Sequence, residues 1–109
     1  MTVTELAKAI SLNALAVSEE NREISGVYIG DLLSWVMGRA KSGDVWITIM
    51  SNINVVAVAS LADVACVVLA EGVVLSDEVL ETAKQKGINV YSSSKDAYEL
   101  AIAILDFLK

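Results

Sequence analysis

Short apolar runs alternate along the chain with polar segments that contain helix-capping residues. The runs, rich in β-branched residues, predict strands at residues 14–18, 24–29, 45–50, 65–69 and 88–91. The segments between them predict helices at residues 4–10, 31–40, 55–62, 76–86 and 95–108. This alternation predicts a small three-layer α/β domain with a mainly parallel sheet of about four to five strands and helices on both faces.

The predictions of three of these helices are based on particular residues. Residues 55–62 are rich in valine, but polar capping residues precede them and another strand follows closely, so we interpret them as a helix. Asp31 is the predicted cap of the second helix. Its predicted inner face comprises Leu32, Leu33, Val36 and Met37. Ser92, Ser93 and Ser94 are the predicted caps of the last helix.

The chain carries more apolar residues than its size accommodates. Its 109 residues fit one domain, spanning residues 1–109, and 55% of them are hydrophobic. A domain this small has a high surface-to-volume ratio, so part of this apolar surface should meet a partner. A second copy is the simplest partner, since two-fold dimers are the commonest oligomers. The predicted contact residues are Val55 and Val58, from the very apolar predicted helix at residues 55–62, and Tyr98 and Ile102, from the last predicted helix.

Charge and cysteine content exclude several classes of partner and compartment. Eight basic residues against fourteen acidic ones give a net charge of −6, which argues against nucleic acid. The longest apolar region, residues 53–75, is interrupted by Asp63 and Glu71, so we expect no membrane span. Cys66 is the only cysteine and lies in an apolar run, which is typical of a buried thiol and suits a reducing cytoplasm.

The residue types that most enzymes need are missing. The chain has no histidine, which removes the commonest general base and the usual zinc ligand. Neither the dinucleotide-binding glycine fingerprint nor a phosphate loop of the Gly-Lys-Ser/Thr type occurs. We therefore expect no enzymatic activity, no metal and no cofactor.

Polar residues follow several predicted strands. In open parallel sheets, ligands bind where the carboxyl ends of the strands lie beside helix N-termini. The residues at these positions are Gly30, Asp31, Ser51, Asn52, Ser92, Ser93 and Ser94. They are candidates for a small-ligand site, and helix capping alone also explains them.

Several segments in a fixed order resemble the DRTGG domain family. They are residues 24–31 (Ile-Ser-Gly-Val-Tyr-Ile-Gly-Asp), 42–48 (Ser-Gly-Asp-Val-Trp-Ile-Thr), 62–69 and 79–90, followed by a serine-rich turn and a helix. The resemblance implies an α/β module similar to the N-terminal domains of HPr kinase/phosphorylase and of some Mur ligases. Such modules occur beside CBS domains in regulatory proteins, including some inorganic pyrophosphatases, and contribute to dimerisation.

The chain departs from this family at one turn. Many members have a Gly-Asp-Arg turn after the strand that corresponds to residues 45–48. This chain instead has the sequence Ile49-Met50-Ser51-Asn52 at that position. An anion-binding role of that arginine therefore does not carry over.

Two functions follow as expectations. The first is a stand-alone, non-catalytic regulatory module that acts through protein–protein association, as a homodimer or with another regulatory or enzyme protein. The alternative is a sensor that binds a nucleotide or a phosphorylated metabolite at the carboxyl ends of the strands.

Overall fold

The computed structural model describes residues 1–108 as one α/β unit with the predicted elements in the predicted order. Bounds differ from the predictions by a few residues, as expected where helix and strand ends are set by tertiary contacts. The elements are α1 (Val3–Ala9), β1 (Asn13–Ala16), β2 (Gly26–Ile29), α2 (Leu33–Arg39), β3 (Asp44–Thr48), α3 (Asn54–Ala62), β4 (Cys66–Leu69), α4 (Asp77–Gln85), β5 (Val90–Ser92) and α5 (Ala97–Leu108).

The sheet has five strands in the order β1-β5-β4-β3-β2. Strands β2, β3, β4 and β5 are parallel, and β1 pairs antiparallel with β5. The mainly parallel sheet of the prediction is therefore confirmed. β1 and β2 are the two edge strands, and the carboxyl ends of the four parallel strands share one edge of the sheet.

The helices form two layers, one on each face of the sheet. Helices α1 and α5 pack on one face, where Leu6, Leu100 and Ile104 are fully buried against Val45 and Ile47. Helices α2, α3 and α4 pack on the opposite face, in a cluster built around the fully buried Trp46. Alternate residues of β3 thus serve opposite layers, which explains why this strand is apolar throughout.

Two helices, α1 and α4, are capped by side chains close to them in sequence. Thr2 caps α1 in a capping box with Glu5, and the Ser76 hydroxyl accepts a hydrogen bond from Val79 N in α4. Gly87 follows α4 with a φ of 71°, the left-handed conformation that commonly ends a helix.

The prediction that Asp31 caps α2 is wrong. The N-cap is Leu32, without a side-chain hydrogen bond, because the Asp31 carboxylate turns back to the sheet and accepts hydrogen bonds from β3. The predicted inner face is also wrong in part. Val36 is buried and Leu33 partly buried, but Leu32 and Met37 are 60% and 49% exposed, because α2 has only two turns and buries one narrow stripe.

The prediction that the three serines cap α5 is wrong as well. Strand β5 extends to Ser92, so the serines belong to the strand end and the turn after it. Asp96 and Glu99 form the cap instead: Glu99 N donates to Asp96 Oδ1 at 2.8 Å, and Asp96 N donates to Glu99 Oε1 at 3.3 Å.

Candidate functional site

The predicted ligand-binding residues lie at one edge of the sheet, since they follow strands that run in the same direction. Gly30 and Asp31 follow β2, Ser51 and Asn52 follow β3 after a short turn, and the serines end or follow β5. The two central strands of this edge, β3 and β4, separate the β2 residues from the β5 residues.

Gly30 and Asp31 bond to the neighbouring strand β3. Gly30 N donates to Ile47 O, and Gly30 O accepts from Trp46 Nε1 at 2.9 Å. Asp31 Oδ1 accepts from Thr48 Oγ1 at 2.8 Å and from Ile49 N at 3.0 Å. These contacts hold the carboxyl end of β2 against β3. The Asp31 residue as a whole is exposed.

The remaining polar residues of this edge also bond to their own turns. Asn52 Oδ1 accepts from Asn54 N at 2.9 Å at the start of α3. Ser93 Oγ accepts from Lys95 N at 3.1 Å. Ser92 and Ser93 are buried, whereas Ser51 and Ser94 are exposed. The exposed hydroxyl groups of Ser51 and Ser94 are therefore the parts of the predicted set that are most open to a ligand.

An apolar groove lies between edge strand β2 and helix α5. Its volume is about 450 Å³. Its lining is almost wholly apolar and comprises Val27, Tyr28, Ile29, Tyr98, Ala101, Ile102, Leu105 and Leu108. Four of these side chains are well exposed: Ile29 at 48%, Tyr98 at 74%, Ile102 at 48% and Leu105 at 56%. Contiguous exposed apolar side chains of this kind commonly mark an interaction surface.

The structure divides the four predicted contact residues into two pairs. Tyr98 and Ile102 line the groove, so they stay candidates. The prediction for Val55 and Val58 is wrong, because their side chains are 0% and 6% exposed in the core beneath α3. The valine-rich face of α3, which was predicted to contact a partner, packs on the sheet and beside α2.

Ile29 and Leu105 belong to the groove, although the sequence did not single them out for contact. Leu105 lies in the last predicted helix and Ile29 in a predicted strand, and neither was among the predicted contact residues. Only the position of β2 at the edge of the sheet exposes Ile29, and strand order is not encoded in any local pattern.

A polar hollow of about 550 Å³ opens at the amino end of β2. Asp44, which is 7% exposed, lies in its wall, and its Oδ2 accepts from Lys41 N at 2.8 Å. The Arg39 guanidinium stacks 3.7 Å from the centre of the Trp35 ring. Within residues 1–108, neither Arg39 nor Lys41 forms an ion pair, so this hollow carries net positive charge at its rim.

Two other titratable groups have clear structural roles. Hydrogen bonds from Ser42 and Arg22 lower the pKa of the Asp63 carboxyl group. The bond from Arg22 also connects the loop before β2 to the end of α3. Burial raises the pKa of the Cys66 thiol to about 12, so this cysteine stays protonated and unreactive near neutral pH.

Residues 1–108 contain no group of three or more Cys, Asp and Glu side chains arranged to hold a metal ion. No helix within the same range has both the length and the apolar character to cross a bilayer.

Comparison with solved structures supports the fold. The chain is similar to a crystal structure of the CBS and DRTGG domains of the regulatory region of Clostridium perfringens pyrophosphatase, complexed with its activator diadenosine tetraphosphate. The TM-score is 0.75 at 17% sequence identity, over 95% of this chain and 46% of the other. This chain thus spans about half the length of that one.

Comparison by sequence identifies the family. No curated protein matches the chain significantly. The expected similarity to HPr kinase/phosphorylase and to Mur ligases stays a prediction. The family model of the DRTGG domain matches residues 5–107, which is nearly the whole chain. The chain therefore belongs to the DRTGG domain family.

Proposed function

We propose that this chain is a non-catalytic regulatory module that acts by association, and that its first partner is a second copy of itself. The observation that carries the proposal is the apolar groove between β2 and α5, with four large side chains about half exposed or more. In water, such a surface gains roughly 25 cal/mol for each Å² of apolar area that a partner covers.

Two further observations support a regulatory role. The similar Clostridium perfringens chain belongs to the regulatory region of a pyrophosphatase, so the same fold occurs in a regulatory region. The polar side chains at the strand ends bond mainly within their own chain, as described above, so they are committed to structure and not arranged as reactive groups.

A pair of matched variants tests the association. Ile102→Glu places a charge in the groove, whereas Leu61→Glu places one on α3, where Leu61 is 72% exposed and outside the groove. We expect sedimentation velocity to show the wild type and Leu61→Glu as dimers and Ile102→Glu as a monomer at the same micromolar concentration. If Ile102→Glu sediments with the wild type, the groove is not the contact.

Small-ligand sensing is the second candidate, and one observation favours it. The similar Clostridium perfringens region is complexed with a dinucleotide activator. In this chain the exposed residues Ser51, Ser94 and Asp31 would face such a ligand at the carboxyl edge of the sheet.

Thermal unfolding separates this candidate from association alone. A ligand present at 100 times its dissociation constant stabilises the folded state by about 2.7 kcal/mol, which raises the Tm by several degrees. The probes are ATP, AMP and diadenosine tetraphosphate. Unchanged Tm values with all three would count against the sensor.

A further inference from the structure

The polar hollow at the amino end of β2 contains a buried carboxylate that no cation of residues 1–108 neutralises. Asp44 is 7% exposed and belongs to none of the ion pairs within that range. Its Oδ2 accepts one hydrogen bond, from Lys41 N. A carboxylate accepts up to about four hydrogen bonds, and burial of a charge is costly unless it is paired. Asp44 therefore has capacity for a further donor, and it lines the hollow.

A tight turn holds this carboxylate in place. Asp44 N donates to Lys41 O at 3.0 Å, so Asp44 bonds to Lys41 through both its backbone and its side chain. Gly43 completes the turn with a φ of 85°, a conformation that suits glycine. The Lys41 and Asp44 backbones are thus fixed next to each other at one end of the hollow.

Gly26 provides the space that the carboxylate occupies. It pairs with Asp44 across the β2–β3 ladder. A Cβ atom at position 26 would lie 2.7 Å from Asp44 Oδ1, which is closer than Cβ atoms come to other atoms in proteins. Gly26 and Asp44 both line the hollow, so the glycine preserves a charged wall at this point.

Two cations line the same hollow. Arg39 and Lys41 are exposed, and neither forms an ion pair within residues 1–108. The Arg39 guanidinium stacks on Trp35, and stacking uses the face of a guanidinium while leaving its N–H donors for hydrogen bonds. The chain as a whole has a net charge of −6. This pair therefore attracts anions locally, within the roughly 8 Å over which salt leaves charges unscreened.

The hollow combines two cations with one buried carboxylate. The complementary ligand carries two anionic groups and one cationic group. A simple dianion would meet Arg39 and Lys41, but Asp44 would repel it, and like charges brought together at a binding site are costly. An acidic amino acid carries two carboxylates and one ammonium group in a single small molecule, so it matches the whole set.

We propose that the hollow binds a free acidic amino acid, with its ammonium group bonded to Asp44 and its two carboxylates bonded to Arg39 and Lys41. The volume of about 550 Å³ lies within the range of small-ligand sites. The carbon chain of the ligand contacts Val27 and Tyr28, which also line the hollow. All three polar contacts are charge-assisted hydrogen bonds, which are roughly twice as strong as neutral ones.

This site is separate from both parts of the proposed function. It lies at the amino end of β2, whereas the candidate residues for a nucleotide lie at the carboxyl ends of the strands. It shares only Val27 and Tyr28 with the apolar groove. The inference therefore does not rest on the proposed dimer.

Isothermal titration calorimetry with three probe ligands tests the assignment. L-Glutamate carries all three charged groups, glutarate lacks the ammonium group, and L-glutamine lacks one carboxylate. We expect L-glutamate to bind about tenfold more tightly than either of the others, because each of them loses one charge-assisted contact. Equal affinities for the three probes, or no binding of L-glutamate at millimolar concentration, would overturn the proposal.

Two variants test the individual contacts. Asp44→Asn keeps an oxygen that accepts from Lys41 N, and it should abolish the preference for glutamate over glutarate. Lys41→Gln changes only an exposed side chain, and it should reduce the preference for glutamate over glutamine to less than about threefold. Lys8→Gln on α1 makes the same change in charge and should leave all three affinities unchanged. Wild-type preferences in both Asp44→Asn and Lys41→Gln would overturn the assignment, and Lys41→Gln decides alone if Asp44→Asn does not fold.

The association variant separates this inference from the proposed function. Ile102 lies outside the hollow, so Ile102→Glu should bind L-glutamate with the wild-type affinity. Glutamate binding by a wild type that sediments as a monomer would support the site and overturn the proposed association. A dimeric wild type that does not bind glutamate would overturn the site and leave the association standing.

Discussion

The two edge strands of the sheet expose similar side chains but differ in backbone geometry. Ile29 at the end of β2 is 48% exposed, and Val17 just after β1 is 49% exposed. Strand β1 shifts register between Ala14 and Ala16, whereas β2 keeps a regular register with its neighbour. A bulge bends an edge and interrupts its pairing. Side-chain exposure therefore does not distinguish the two edges, whereas the regularity of the backbone pairing does.

The surroundings of the two edges differ in the same direction. The hollow beside β1 has three polar side chains, those of Thr4, Lys8 and Ser11, within an otherwise apolar lining. The groove beside β2 is lined by apolar residues and tyrosines. We infer that β1 is the solvent edge and β2 the association edge, and the following changes test this difference from the largest expected effect to the smallest.

Charged substitutions at equally exposed positions should separate the two edges most clearly. We expect Ile29→Glu to weaken dimerisation about a hundredfold, because an interface core must desolvate the carboxylate without a partner. Val17→Glu should leave the dimer dissociation constant unchanged. Sedimentation equilibrium over a concentration series measures both. Equal weakening by the two variants would mean that the edges do not differ.

The start of the association edge depends on a glycine. Gly43 has a φ of 85°, and a Cβ there would collide with the Ser25 side chain that precedes β2. We expect Gly43→Ala to lower the free energy of unfolding by about 1–3 kcal/mol. Gly38→Ala is the control: its added methyl group meets nothing within 4 Å on α2. It should stabilise the protein by about 0.5–1 kcal/mol. Urea unfolding measures both, and destabilisation of similar size in the two variants would contradict this account.

Acid should loosen the contacts that precede β2. Ser42 and Arg22 lower the pKa of Asp63 in the folded state, so their stabilisation is complete above the unfolded pKa of about 3.9. It is lost as the pH falls through the lower folded pKa. Asp63→Asn keeps a residue that tolerates the left-handed backbone of this position, where φ is 57°.

We expect Asp63→Asn to lower stability at pH 7 by less than about 1 kcal/mol, because Asp63 is exposed. Urea unfolding at pH 7, 4 and 3 should show a smaller loss on acidification for the variant than for the wild type. Parallel losses would show that Asp63 does not contribute to the acid sensitivity.

The rim charges should have the smallest effect. Lys41→Glu removes a cation from the amino end of β2, and we expect it to weaken the dimer about threefold at low salt and less at high salt. Lys8→Glu makes the same change in net charge near β1 and should leave the affinity unchanged. An effect of Lys8→Glu equal to that of Lys41→Glu would indicate general repulsion and not a local contact.

Local patterns predicted the elements well, because strand and helix formation here follows apolar periodicity and capping. Ser76 and Gly87 behave as their residue types suggest. Asp31 does not, because a tertiary hydrogen bond from Thr48 competes with its role as a cap. The cap of α5 is Asp96. The sequence did not identify it, because the three serines just before it are also common capping residues.

The association surface was predicted only in part, since it depends on strand order. Tyr98 and Ile102 were predicted as contacts because their helix is very apolar, and both line the groove. Val55 and Val58 have equally apolar side chains, but the sheet buries them. A long-range arrangement decides which apolar residues meet solvent, so neither Ile29 nor the buried valines were assigned correctly from periodicity alone.

Sedimentation equilibrium of the wild-type protein tests the central claim most directly. The chain has a mass of 11.6 kDa. At micromolar concentration and neutral pH, we expect an apparent mass of twice that value, falling towards the mass of one chain on dilution. A mass of one chain throughout this range would contradict association as the basis of function.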